Sequence, residues 1–265
     1  MLLIGLVVGL GHATGGFFMP VDALAYWEAG TSQQLYPETW SESGIGYLFY
    51  PPPVAQLSTL LQPLGWSVFI VGLMVATFGA FWYCARAWSL PLVVVGIPYF
   101  LDIGPQWPTT FLSYALLGNL QWFLAALSIV ALRHPALWSV MLVTKVTSAI
   151  GWWWHPFRGE WRAAAVAAGV TAALLVVSVA ASPAMWVDFL GFAGRNATME
   201  NPAIPTFPVP FGIRLSTAFV LLAWGARTSR PWTVPVAIGW ALPALYGLGF
   251  LPFWVAAWRL RGARP

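Results

Sequence analysis

Residues 163–181 read AAAVAAGVTAALLVVSVAA, an apolar run without one formal charge. At about 1.5 Å per helical residue, a run of this length approaches the ~30 Å hydrocarbon core of a bilayer. It is bounded by the charged turn Arg158-Gly159-Glu160-Trp161-Arg162 and by a polar stretch, Ser182 to Pro210. Similar apolar stretches flank it on both sides: Met1–Phe18, Pro53–Tyr83, Trp88–Phe100, Phe111–Leu132, Ala136–Trp154, Phe211–Gly225 and Trp232–Trp258. Met1–Phe18 lacks the basic start and the clean cleavage site of a signal peptide, so a first membrane helix is expected. Ala136–Trp154 and Trp232–Trp258 are too short for two full spans each. Their breaks, at Gly151 and Pro156 and at Gly247, Gly249 and Pro252, suggest a re-entrant pair and a broken hairpin. The expectation is a single all-α membrane domain over residues 1–265, with about 8–10 transmembrane or re-entrant segments. No domain boundary or internal repeat stands out.

Composition agrees. The 265 residues hold 12 Lys+Arg and 8 Asp+Glu, so 8% are charged while 59% are hydrophobic. An ordinary soluble domain is about 25% charged. The mean hydropathy of +0.74 predicts an integral membrane protein and speaks against soluble enzymes, secreted disulfide scaffolds and disordered tails. Cys84 has no partner for a disulfide and reads as a small buried hydrophobe. The net charge of +4 comes from basic residues scattered at segment ends, not from a nucleic-acid-binding patch.

Charge sets the expected orientation. Arg86, Arg133, Arg158, Arg162, Arg227, Arg230, Arg259, Arg261 and Arg264 fall on one side if the N-terminus is cytoplasmic. Asp22, Glu28, Glu38, Glu42, Asp102, Asp188 and Glu200 then fall outside or at the outer boundary. The positive-inside rule predicts a multi-pass plasma-membrane protein with both termini cytoplasmic and the acidic loops outside. The 18 Trp read largely as an interfacial belt. Two outer loops follow, residues 19–52 and 182–210.

The first loop is the chemically loaded one. Asp22 follows the first helix and reads either as a functional carboxylate or as an N-cap of the segment Ala23–Gly30. After it come Ala25-Tyr26-Trp27-Glu28-Ala29-Gly30, Leu35-Tyr36-Pro37 and Gly46-Tyr47-Leu48-Phe49-Tyr50-Pro51-Pro52-Pro53. These aromatics suit either a substrate cavity or an interfacial anchor. The order Asp, Tyr-Trp-x-Ala-Gly, Leu-Tyr-Pro, Tyr-x-Phe-Tyr-Pro-Pro-Pro resembles the first outer loop of glycosyltransferase family 87, polytopic C-type enzymes. The resemblance runs over roughly residues 15–190. It continues at Gly118-Asn119-Leu120-Gln121, with Gln121 where Asn is more usual, and at Thr144-Lys145, where the family's following proline is absent. At 265 residues the chain is short for the family.

The resemblance implies a C-type glycosyltransferase fold. It further implies a metal-independent mannosyltransferase-like activity, with a polyprenyl-phosphate sugar as donor and a glycolipid or lipoglycan at the outer face as acceptor. No cofactor is expected. Asp22 matches the family's general base. Lone cations suited to the donor phosphate are Arg214, Lys145 and Arg195. Arg214 also reads as a snorkelling arginine or a partner for Asp188 or Glu200, Lys145 as neutralising a carboxylate, and Arg195 as meeting lipid headgroups. Tyr26, Trp27, Glu28, Tyr36, Tyr47, Tyr50, Asn119 and Gln121 would line the substrate cavity. His12, His134 and His155 lack metal-ligand spacing, and no HExxH or Asp-x-Asp motif is present. Asn196-Ala197-Thr198 fits the glycosylation pattern, a match that arises easily by chance. The competing expectations are a lipid or sugar transporter or flippase, and an inactive, lipid-presenting subunit of the same fold.

Overall fold

The computed structural model describes residues 1–16, 20–32, 35–36, 50–103, 111–196, 209–242 and 249–261. All regular structure among them is helical. In chain order the helices are α1 (Leu2–Ala13), α2 (Val21–Glu28), α3 (Pro52–Leu61), α4 (Trp66–Ala85) and α5 (Ser89–Ile103). Then come α6 (Phe111–Leu116), α7 (Gln121–Val130), α8 (Trp138–Thr144), α9 (Trp154–Phe157) and α10 (Trp161–Ala181). The last four are α11 (Pro183–Asn196), α12 (Phe211–Arg227), α13 (Thr233–Trp240) and α14 (Leu251–Leu260). Two helical stretches are long and apolar enough to cross a membrane, Trp66–Gly96 and Trp161–Ala181.

At the centre lies α4, packed along its length against α1 and flanked by α7 and α14. The α1–α4 approach depends on Gly5 and Gly9, four residues apart on one face of α1. A Cβ at Gly9 would stand 2.7 Å from the Val71 Cα, and one at Gly5 2.8 Å from the Met74 carbonyl oxygen. Two backbones meet here, the small-residue contact that membrane helices favour. Met74, Phe78 and Phe81 of α4 continue into a core with Trp122, Trp138, Leu222, Ile238 and Phe253, all fully buried. Cys84 is buried among them.

Helix α10 is different. Ala164, Ala167 and Ser178 are its buried residues, while Trp161, Val166, Val176 and Val177 point outward. A helix apolar all round with one thin contact stripe suits hydrocarbon better than water.

Two stretches expected as continuous spans are broken, and the two expected to be interrupted are also divided. Pro53–Tyr83 divides into α3 and α4 at a 3-10 turn, Gln62–Leu64. Phe111–Leu132 divides into α6 and α7, so Gly118 to Leu120 form a turn and do not lie inside a span. In Ala136–Trp154 the α-helix stops at Lys145, whose extended backbone (φ −145°, ψ 99°) leads into a 3-10 segment, Val146–Trp153. The polar stretch 182–210, expected as a second outer loop, holds helix α11. The Trp232–Trp258 stretch divides into α13 and α14, which pack together.

Candidate functional site

Helix α2 begins after Pro20, with no side chain capping its N-terminus, and Asp22 stands in its first turn. The N-cap reading of Asp22 is therefore not realised. Three features join this turn to the chain around residue 118. The Ala23 N–H donates to the Leu117 carbonyl at 3.1 Å. Gly118 takes φ +76°, and a Cβ there would come within 2.8 Å of the Ala23 Cβ, so any other residue meets both strain and collision. Next in the chain, Asn119 donates from Nδ2 to Asp22 Oδ2 at 3.2 Å while its Oδ1 accepts the Gln121 N–H at 2.9 Å. With both ends held, the Asn119 amide has one orientation, its donor toward the carboxylate.

Aromatics close over this pair. Tyr26, one turn beyond Asp22, is buried, and its hydroxyl lies 3.1 Å from the Tyr50 hydroxyl with the rings edge-to-face. Burial and the Asp22 charge hold both phenols neutral, well above their ordinary range. Asp22 lies at the head of α2, outside the spanning segments. Burial raises its pKa from 3.8 to about 6, against the lowering effects of the Asn119 hydrogen bond and the Lys145 charge.

Lys145, the chain's sole lysine, is half-buried at the break after α8. Its charge reaches Asp22, although no ion pair within 4 Å joins the two among the described residues. Just beyond it, the buried hydroxyls of Thr147 and Ser148 have no hydrogen-bond partner among the described residues, nor does Gln121 Oε1. Each such group costs about 1–3 kcal/mol if left unsatisfied, which favours a polar occupant or water.

The other expected residues are placed as follows. Arg214 is 3% exposed, and its guanidinium donates to the carbonyls of Val209 (3.0 Å), Trp240 (3.2 Å) and Leu242 (2.5 Å). It thus closes the C-terminal end of α13, and no described contact brings it to Asp22. Arg195 is exposed in the last turn of α11. Trp27 packs on Trp66 and Phe69. Glu28 is half-buried at the end of α2. Tyr36 is buried against Phe189 and Phe192 of α11 and donates to the Tyr50 carbonyl at 3.1 Å, so α11 packs on Tyr36. Gln121 is buried beside Asn119. Tyr47, Glu38, Glu42 and Glu200 lie outside the described residues.

His12 contacts the Leu116 carbonyl at 3.1 Å. His155 accepts the Trp138 indole N–H at 3.1 Å and pairs with Glu160 at 2.7 Å, which commits it to the Arg158–Glu160 turn. The sequence reading passed over Thr147 and Ser148, whose signal was two hydroxyls two and three residues after a lone lysine in an apolar stretch. No group of three His, Cys, Asp or Glu among the described residues is arranged to hold a metal ion. An apolar cavity of about 260 Å³ lies between the α8 region and α10, lined by Trp138, Leu142, Ala149, Trp152, Ala167 and Thr171 among others. Leu142 and Ala149 stand on either side of Lys145 in the chain. No protein-family model matches this chain, and no curated protein and no solved structure matches it.

Proposed function

We propose that the chain is a multi-pass membrane glycosyltransferase with a C-type fold, moving a sugar, mannose by resemblance, from a polyprenyl phosphate to a glycolipid hydroxyl at the outer face. One observation carries this reading. A half-buried carboxylate, oriented by Asn119, shares its surroundings with the only lysine of the chain. Asp22 takes the proton from the acceptor hydroxyl as that oxygen bonds to the anomeric carbon. The bond from anomeric carbon to phosphate oxygen breaks with inversion, and polyprenyl phosphate leaves with its electron pair. Lys145 offsets the charge on the departing phosphate. The Thr147 and Ser148 hydroxyls are donors of the right kind beside it. The cavity lined by Leu142 and Ala149, three and four residues from Lys145 in the chain, gives the isoprenoid chain an apolar bed. Arg214, engaged by three carbonyls, supports α13 in this scheme and leaves the phosphate to Lys145.

The test is transfer from radiolabelled polyprenyl-phosphate mannose to a bacterial glycolipid extract, using protein in liposomes. Asp22→Asn is expected to lower the rate by about 10²-fold or more with donor binding retained. Binding without turnover in wild type would instead favour a lipid-presenting subunit. Absence of donor binding would remove the glycosyltransferase reading and move the transporter ahead.

A further inference from the structure

At the end of the bundle opposite Asp22, on the expected cytoplasmic side, three cations converge on three helix C-termini. Arg86 follows α4, Arg133 lies just beyond α7, and Arg259 sits in the last turn of α14. These helices pack on one another, and Arg259 lies within the electrostatic reach of both Arg86 and Arg133. The arginines are not a redundant answer to the helix dipoles. Three C-termini carry together about −1.5 charges, half of what three guanidinium groups bring. Among the described residues no carboxylate lies within 4 Å of any of the three, and the groups that act on Arg259 are Tyr83, Arg86, Cys84 and Arg133. One nitrogen of Arg259, Nη1, is buried with no hydrogen-bond partner among the described residues. Its guanidinium carbon lies 3.7 Å from the Tyr83 ring centroid, so the ring fixes the group in place.

An apolar crevice of about 150 Å³ adjoins these cations, lined by Cys84, Ala85, Trp88, Leu92, Val255 and Trp258. Cys84 and Ala85 directly precede Arg86, and Trp258 directly precedes Arg259. Trp88 and Trp258 stand well exposed at its mouth, as indoles do at a headgroup boundary. We infer that this is a binding site for an anionic phospholipid of the inner leaflet, its phosphate between Arg86, Arg133 and Arg259 and one acyl chain in the crevice. Basic pockets between helix ends on the cytoplasmic side are suited to such headgroups. The inference rests on the membrane reading of the chain and not on glycosyl transfer.

The experiment is native mass spectrometry of the full chain in detergent, titrated with phosphatidylglycerol, cardiolipin or phosphatidylcholine. Anionic lipids are expected to bind at least tenfold more tightly than phosphatidylcholine. Arg86→Gln with Arg259→Gln is expected to abolish that preference, while Arg227→Gln, at the end of α12, leaves it intact. Leu92→Trp, which fills the crevice and spares the charges, is expected to weaken lipid but not inorganic phosphate, and it serves if the double variant fails to fold. Equal binding of all three lipids, or displacement of lipid by millimolar inorganic phosphate alone, overturns the proposal. Recovery of the chain in the soluble fraction overturns the membrane reading with it. A membrane-embedded chain indifferent to headgroup charge overturns the lipid site alone.

Discussion

In the proposed reaction Asp22 is the base, its strength is set by its neighbours, and each neighbour has a separable effect. Because burial raises its pKa to about 6, the acid limb of the transfer reaction is expected near that pH. The carboxylate is ionised and competent above it and protonated below. The Asn119 hydrogen bond stabilises the charged form, so Asn119→Ala is expected to move the limb to higher pH while leaving the high-pH rate nearer to wild type. A pH–rate profile of kcat/KM checks this, and an unmoved limb would mean Asn119 only fills space. At the turn before α10, Glu160 accepts from Arg158 and His155 at 2.7 Å each. Burial opposes its charge, but these two donors hold its pKa below the ordinary 4.5. A depressed carboxylate contributes stability above its unfolded pKa and loses it as pH falls through the folded one. Thermal melting in detergent is expected to show wild type losing more stability below about pH 4.5 than Glu160→Gln, whose side chain does not titrate.

Helices show where sequence reading reached and where it stopped. The span 163–181 is legible because it is apolar on every face, and α10 covers it. Phe211–Gly225 is legible as a helix bounded by Pro210 and Arg227, although it carries Arg214 within it. Hydropathy does not distinguish one long helix from two short ones, so the breaks at Gln62–Leu64 and Gly118 were missed. Helix α11 had a signal, Met185, Phe189 and Phe192 at helical spacing, hidden by the polar residues around it. The acidic residue and its loop were legible. The partnership with Asn119 was not, because it spans a separation of 97 residues. A prediction belongs to that turn. Gly118→Ala adds a Cβ at φ +76° and 2.8 Å from Ala23, a cost of about 1–3 kcal/mol for the backbone alone. It is expected to lower activity more than Gly16→Ala, whose nearest neighbour is 3.6 Å away, with both variants compared for melting temperature and rate.

For the whole molecule, the proposed topology predicts which surface faces which compartment. In a Cys84→Ser background, Ser32→Cys, exposed just beyond α2, is expected to react with an impermeant maleimide on intact cells. Thr228→Cys, exposed after α12, is expected to react only once the membrane is opened. The reverse pattern would invert the chain and place Asp22 inside. Assembly of the site also has an order in time. The α1–α2 region is tied to the chain near residue 118 through His12 and Leu116, Ala23 and Leu117, and Asp22 and Asn119. A ribosome adding about 5–20 residues per second makes the acid several seconds before its partner exists. A newborn chain in that interval carries a carboxylate with nothing to aim it. In the proposed enzyme chemistry waits for the later turn and then for Lys145, so a translation pause before Gly118 would hold the protein silent without any inhibitor.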